Sequence, residues 1–251
     1  MADCAFFVGQ FVIVRNVAEA KRILVLAPTA GDAERIRDAA EKFALEMILG
    51  CADDSGAFRL DFSTRDSALH TVEFIHGNPV AAMVPITDAI APTVARAASM
   101  VGLPFHPPKA ADACASKSLL HRKLKGAGLS TDDKAGFTVE CVMRDRKLRV
   151  LAVAEVSDEP RLLSAYPAEF QQGVIGLLKK VVTIFGLKHG PVRLEVSNSL
   201  AVVDLSLSYA RTRPIDALHF RIPLVDLDIS YEEVLVRNAL DLDISRVQLG
   251  V

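Results

Sequence analysis

An α/β fold in two parts is predicted, a parallel-sheet domain followed by an antiparallel α+β domain, and three observations predict it. Strand-like apolar runs alternate with helical periodicity in the first part of the chain. A proline cluster, Leu103-Pro104-Phe105-His106-Pro107-Pro108, then interrupts regular structure. After Asp132-Asp133-Lys134 the apolar period shifts toward two. The 251 residues, 51% apolar and 24% charged, suffice for two small domains or one large one with a buried core, and exclude a disordered, collagen-like or disulfide-scaffold chain.

The elements follow in order. Ala5 to Val14 is apolar but broken by Gly9 and Gln10, lacks a preceding basic region and falls short of the roughly 18 apolar residues of a membrane span, so it reads as a strand or hairpin. Arg22-Ile23-Leu24-Val25-Leu26 is a continuous β-favouring run, as expected of a strand buried on both faces. Asp32 is the expected N-cap of a helix whose Ile36, Ala39, Ala40 and Phe43 form one apolar stripe. A second strand-loop-helix unit uses Val80 to Pro85, a cap at Thr87 or Asp88, and Ile90, Val94, Ala97, Ala98 and Val101 ahead of a stop at Gly102.

Beyond the prolines, short helices are expected over Ala110 to Ala115 and Ser116 to Lys125, the latter ended by Gly126 or Gly128. Phe137 to Met143 and Leu148 to Ala154 flank the charged turn Arg144-Asp145-Arg146-Lys147 as an antiparallel hairpin. A helix follows from Ala168 to Phe185, with Val174, Leu177, Leu178, Val181 and Val182 on one side. Strands from Pro191 to Val196 and Leu200 to Leu207 surround Ser197-Asn198-Ser199. Ile222 to Ile229 is apolar enough to add a strand, and Tyr231 to Leu240 reads as a helix capped by Ser230.

Composition also bounds function. Lys and Arg total 29 against 31 Asp and Glu, a net charge of −2 that gives no general field for a phosphate backbone, so nucleic-acid binding is not expected. Cys4, Cys51, Cys114 and Cys141 are scattered without metal-ligand spacing, which points to reduced thiols and a cytoplasmic protein. The histidines His70, His76, His106, His121, His189 and His219 show no ligand spacing either. No Gly-rich phosphate loop, H-E-x-x-H or G-x-S-x-G sequence is present.

The best site candidate is the carboxylate pair Glu195 and Asp204. Antiparallel pairing about Ser197-Asn198-Ser199 lets the two acids face each other, and facing carboxylates repel unless a cation such as Mg²⁺ lies between them. The competing reading leaves each acid solvated or paired with Arg193 or Arg211. Lys117, one residue past the expected cap Ser116, stands in a first helical turn that favours anions, although a solvated surface lysine fits the same position. Phe6, Phe7 and Phe11 fit a core or a dimer interface.

Three passages resemble the ATP-grasp superfamily, in particular the carboxylate-amine ligases related to biotin carboxylase and carbamoyl phosphate synthase. The region from Val80 to Leu129 ends its helix in G-L-P and continues through the proline link to KSLLHRKLKGAGLS, similar to that family's K-x6-L-x-x-A-G-[LI]-P helix. FTVECVMRDRKLRVLAVAEV is similar to the hairpin after the nucleotide lid, and FGLKHGPVRLEVSNSLAVVDLSLS to the metal-carrying strands. The likeness covers about residues 20 to 220. It implies a Rossmann-like pre-ATP-grasp domain over 1–106, a helical linker over 107–131 and an ATP-grasp-like domain over 132–251. It places Lys117 at a phosphate-contacting position and Glu195 and Asp204 at metal-binding ones, and in a working ligase Lys117 or Arg211 would hold phosphate.

The sequence departs from that pattern where the family carries its nucleotide lid, since Leu129-Ser130-Thr131 runs almost directly into the hairpin. Ser206 also stands where the family has a metal-binding Asn, and Ser208 where it has a phosphate-steadying Arg. Two expectations follow from the resemblance. One is a degenerate ATP-grasp protein that has lost ligation and serves as a ligand-binding, interaction or accessory protein. The other is a minimal carboxylate-amine ligase using ATP and Mg²⁺, with a lid supplied by a partner subunit. A third reading, from the apolar N-terminal segment alone, is a structural homodimer.

Overall fold

The computed structural model describes residues 22–53, 56–61, 66–155, 161–209, 219–222, 227–245 and 247–249. The apolar segment from Ala5 to Val14 lies outside these residues. The first sheet is parallel, built from β1 (Arg22–Leu26), β2 (Glu46–Cys51), β3 (Phe58–Arg59) and β4 (Ala82–Pro85) in the order β3-β2-β1-β4. Helices α1 (Ala30–Glu41), α2 (Ser67–Gly77) and α3 (Ala91–Val101) connect or follow these strands. Ile23, Leu24, Val25 and Leu26 are all fully buried, as a strand covered on both faces requires. Because β1 pairs with both β2 and β4, the strand order reverses at β1, and the crevice beyond Leu26 and Pro85 is the place where such sheets present ligand-binding loops.

Two caps differ from expectation. Thr29, not Asp32, caps α1: its hydroxyl accepts from the Asp32 N–H while the Asp32 carboxylate reaches back to Thr29, a reciprocal capping box in which Asp32 is the third helical residue. Thr87 and Asp88 form a turn ahead of α3, whose first flanking residue is Ile90, so the Asp88 carboxylate is left to serve elsewhere. Gly102 ends α3 in the left-handed conformation at φ 69°, as its position implied.

Helices α4 (Pro108–Cys114) and α5 (Lys117–Gly126) lead into a second sheet of β5 (Phe137–Arg144), β6 (Lys147–Glu155), β7 (Gly190–Val196) and β8 (Val202–Ser206), antiparallel and ordered β6-β5-β7-β8. The β5-β6 hairpin turns on Asp145 and Arg146, at φ 47° and 64°, the twisted two-residue geometry that joins antiparallel strands tightly. Helix α6 (Ala168–Phe185) packs Val174, Leu178 and Val181 onto one face of this sheet, together with Leu120 and Leu124 of α5. Strands β9 (His219–Ile222), β10 (Leu227–Ser230) and β11 (Gln248–Leu249) form a small third sheet around α7 (Tyr231–Ala239). The Ser230 cap of α7 is another complete capping box, with Glu233.

Helix α7 joins the two halves. Val234, Leu235 and Val236 are buried in one cluster with Ile23, Val25 and Ile36 of the parallel sheet and its helix, and with Val142, Leu151 and Ala152 of the antiparallel sheet. Its acids tie it to α1: Glu233 accepts from Lys42 Nζ at 2.9 Å and Glu232 lies 3.4 Å from Arg35 Nε. His106, in the proline link, is buried with Nε2 donating to the Pro191 carbonyl at 2.8 Å, and burial drops its imidazole to about 4. None of the described helices is long and apolar enough to cross a membrane, and the described cysteines Cys51, Cys114 and Cys141 are buried free thiols.

Leu235→Ala is expected to cost about 2–5 kcal/mol in a denaturant titration, since it opens a cavity shared by both sheets. Both halves are expected to unfold in one transition with a lowered midpoint; an unchanged midpoint would show that α7 does not bear on the core.

Candidate functional site

Strand alternation sorts the antiparallel sheet into two faces. Val139, Cys141, Met143, Leu194, Val196, Leu205 and Leu207 point into the cluster under α5 and α6, which leaves Thr138, Glu140, Arg193, Glu195, Asp204, Ser206 and Ser208 to the opposite side. The register fixes two cross-strand rows on that side. Thr138, Glu195 and Asp204 form one, and Glu140, Arg193 and Ser206 the other. Glu195 and Asp204 are therefore direct neighbours, as the turn between β7 and β8 implied. Both are half-buried, and Asp204 Oδ1 accepts the Leu205 N–H at 2.8 Å.

The second row is buried and charged. Glu140 is 5% exposed and Arg193 8%, and the Tyr231 hydroxyl of α7 donates to Glu140 Oε2 at 3.2 Å. Burial pushes the Glu140 carboxyl up to about 7, with the Arg193 guanidinium pulling it back and Glu195 adding to the rise. The Tyr231 hydroxyl rises well above its ordinary value, first through burial and then beside Glu140, so it stays protonated as a donor. Glu140 Oε1 is buried without a hydrogen-bond partner, so one oxygen of the ionised carboxylate goes unsatisfied.

Asp88 arrives from the switch point of the other sheet. Its Oδ1 accepts from the Ser208 hydroxyl at 2.7 Å and from the Ser206 hydroxyl, and its Oδ2 lies 3.9 Å from Arg193 Nη2. Tyr209 N–H donates to the Pro85 carbonyl at 2.9 Å, fastening the end of β8 to the end of β4. The polar face thus meets the carboxyl ends of the parallel strands, and the two serines read as departures in the sequence hold a carboxylate.

Lys117 stands as the first residue of α5, where the sequence placed it, but Ser116 makes no side-chain cap and pairs its hydroxyl with Ser118 at 3.2 Å. Lys117 Nζ lies 3.1 Å from Asp133 Oδ1, with both side chains well exposed. Arg211 lies outside the described residues. Among the described residues, no group of three or more His, Cys, Asp and Glu is arranged to hold a metal ion. Three histidines bond to backbone carbonyls and serve structure: His106 as above, His121 Nε2 on the Val203 carbonyl at 3.1 Å, and His189 Nε2 on the Asn238 carbonyl at 2.6 Å.

Sequence reading overlooked Asp88, Glu140 and Tyr231. A usable signal existed for Glu140, the one charge in the run Phe137-Thr138-Val139-Glu140-Cys141-Val142-Met143; a buried acid in an apolar strand needs a cation alongside, and Arg193 stands directly across. No local signal marks Asp88, whose partners are 118 and 120 residues away.

The Glu140 carboxyl carries a testable sign. Its native value near 7 lies above its ordinary 4.5, so the native state holds a proton that the unfolded chain releases, and this contribution to stability is lost as pH rises from about 4.5 to 7. His106 acts oppositely between about 4 and 6.5, so the difference between two proteins is the clean readout. Glu140→Gln is expected to gain stability relative to wild type steadily across that pH interval in thermal melts; a difference independent of pH would mean Glu140 titrates normally.

No family model matches the sequence, and no curated protein matches it. Solved structures do match. The L-amino acid ligase from Bacillus licheniformis superposes with a TM-score of 0.66 at 14% identity, over 88% of this chain and 74% of its own. Phosphoribosylglycinamide synthetase from Anaerococcus prevotii gives 0.64 at 13%, over 90% and 76%. Carboxyaminoimidazole ribonucleotide synthase from Aspergillus clavatus, complexed with ATP, gives 0.65 at 10%, over 92% and 80%. At these identities the likeness is one of fold, and the chain has the ATP-grasp fold.

Proposed function

We propose that the protein is a degenerate member of the ATP-grasp fold that no longer joins a carboxylate to an amine and acts as a ligand-binding, interaction or accessory protein. The observation that carries this reading is the connection between α5 and β5. Residues 127–136 are all described and hold only a single bridge, Thr131 to Val202, where the resemblance calls for a lid that covers the nucleotide. Without a layer to exclude water, an acyl phosphate is hydrolysed rather than transferred. Asp88 supports the same reading, because its carboxylate occupies the hydroxyls that stand at the family's metal-binding and phosphate-steadying positions. A triphosphate entering there meets the acids Asp88, Glu195 and Asp204, and Lys117 already lies beside Asp133.

One observation favours the second reading, a minimal ATP- and Mg²⁺-dependent ligase. Glu195 and Asp204 stand side by side, and Mg²⁺ is commonly held by one or two carboxylates with water and phosphate completing its shell. In that reading these two acids hold the ion, which neutralises the phosphates when bound, and Lys117 and Arg211 contact phosphate. A partner subunit supplies the lid.

Calorimetry with Mg·ATP and Mg·ADP on the purified chain separates the two. The degenerate reading expects no detectable binding heat and no release of phosphate. Low-micromolar binding that disappears in Glu195→Gln would overturn it in favour of the ligase.

A further inference from the structure

On the far side of the antiparallel sheet from Glu195 and Asp204, a groove of about 820 Å³ runs between β6, the 3-10 turn Leu163–Ala165 and α6. We propose that it binds a linear amphipathic carboxylate of the fatty-acid type, with the carboxylate at Arg146 and Lys179 and the hydrocarbon chain along the sheet.

The groove has two chemically distinct ends. Arg146 sits in the β5-β6 turn, and its N–H donates to the Lys188 carbonyl at 3.0 Å, which places that turn beside the C-terminal end of α6. Lys179 and Thr183 line the groove from the C-terminal half of the same helix. Both cations are exposed, neither has an ion-pair partner among the described residues, and the lining contains no Asp or Glu. The other end is apolar. Val153 exchanges backbone hydrogen bonds of 2.8 and 2.7 Å with Arg161, which carries Leu162 and Leu163 over the far part of β6. Ile175, one of the few large apolar side chains left exposed at 39%, and Leu148 and Val150 complete the wall. Along α6 the lining runs from Ile175 to Thr183, a rise of roughly 12 Å, long enough for an extended medium-length acyl chain.

Such a site matches the proportions of small-molecule pockets, which are mostly apolar with a few placed polar groups and measure roughly 300–1,000 Å³. A docked protein helix needs much more, on the order of 800 Å² from each partner and 20 or more residues a side, than the eleven residues that line this groove. Charge selects the ligand's head, because unpaired cations at one end of an apolar trough attract a carboxylate and repel an ammonium.

Isothermal titration of the full chain with decanoate and with decyltrimethylammonium, both below their micelle concentrations, tests the assignment. Decanoate is expected to bind at one site at least about tenfold more tightly than the cationic amphiphile. The exposed double variant Arg146→Glu, Lys179→Glu is expected to reverse that order, and Ile175→Asp to weaken both ligands. Absence of decanoate heat, equal affinity for the two head groups in wild type, or an order unaltered by the double variant would overturn the proposal. So would displacement of decanoate by an acidic amphipathic helical peptide that binds more tightly, since a protein partner would then be the occupant. The wild-type comparison of head groups needs no variant to fold.

Discussion

Burial of charge between two sheets is the constraint on which this structure turns. Glu140 and Arg193 face each other on adjacent strands inside the protein, and α7 lies over them with Tyr231 on the carboxyl. Charges in such a place persist only when partners are held close, so the positions of α7 and of the second sheet are not independent. Val234 and Leu235 fill the same space from the apolar side, and the acids Glu232 and Glu233 bind α7 to α1 beyond it. A helix near the end of the sequence therefore fastens a sheet at its beginning to a sheet in its middle.

That arrangement explains why the polar face has the chemistry it has. Directly beneath α7 the face is buried; farther along β7 and β8 it opens to the half-buried carboxylates Glu195 and Asp204. Asp88 closes the gap between these zones by reaching from the parallel sheet to Ser206 and Ser208. An Asn or an Arg at the serine positions would project a ligand-binding group toward the crevice. The small hydroxyls instead allow a carboxylate from across the crevice to approach and accept both of their protons. The likeness to ATP-grasp ligases thus extends through the backbone, while this corner of the face is bonded to itself.

Much of the fold was legible in the sequence because local rules and tertiary demands agree. The α6 boundaries at Ala168 and Phe185, the αL stop at Gly102 and the Ser230 cap follow from periodicity and capping alone. Strand pairing about Ser197-Asn198-Ser199 brought Glu195 to Asp204 as expected, although the strand begins at Val202, because Leu200 occupies a left-handed turn position at φ 59°. The caps failed where two candidates stood within a few residues: Thr29 and Asp32 are both good capping types, and only the geometry shows which is reciprocated. Strands β2 and β3 and helix α2 carried too weak a period to be read. Asp88 was illegible for a different reason, since contacts spanning more than a hundred residues leave no local trace.

In the proposed function, the protein's own groups close the polar face against a nucleotide. A crystal structure of the protein grown with Mg²⁺ and a non-hydrolysable ATP analogue tests it most directly. The Asp88 carboxylate is expected still hydrogen-bonded to Ser206 and Ser208, with no nucleotide beside it. Phosphates bridged by Mg²⁺ to Glu195 and Asp204, with Asp88 swung away, would contradict it.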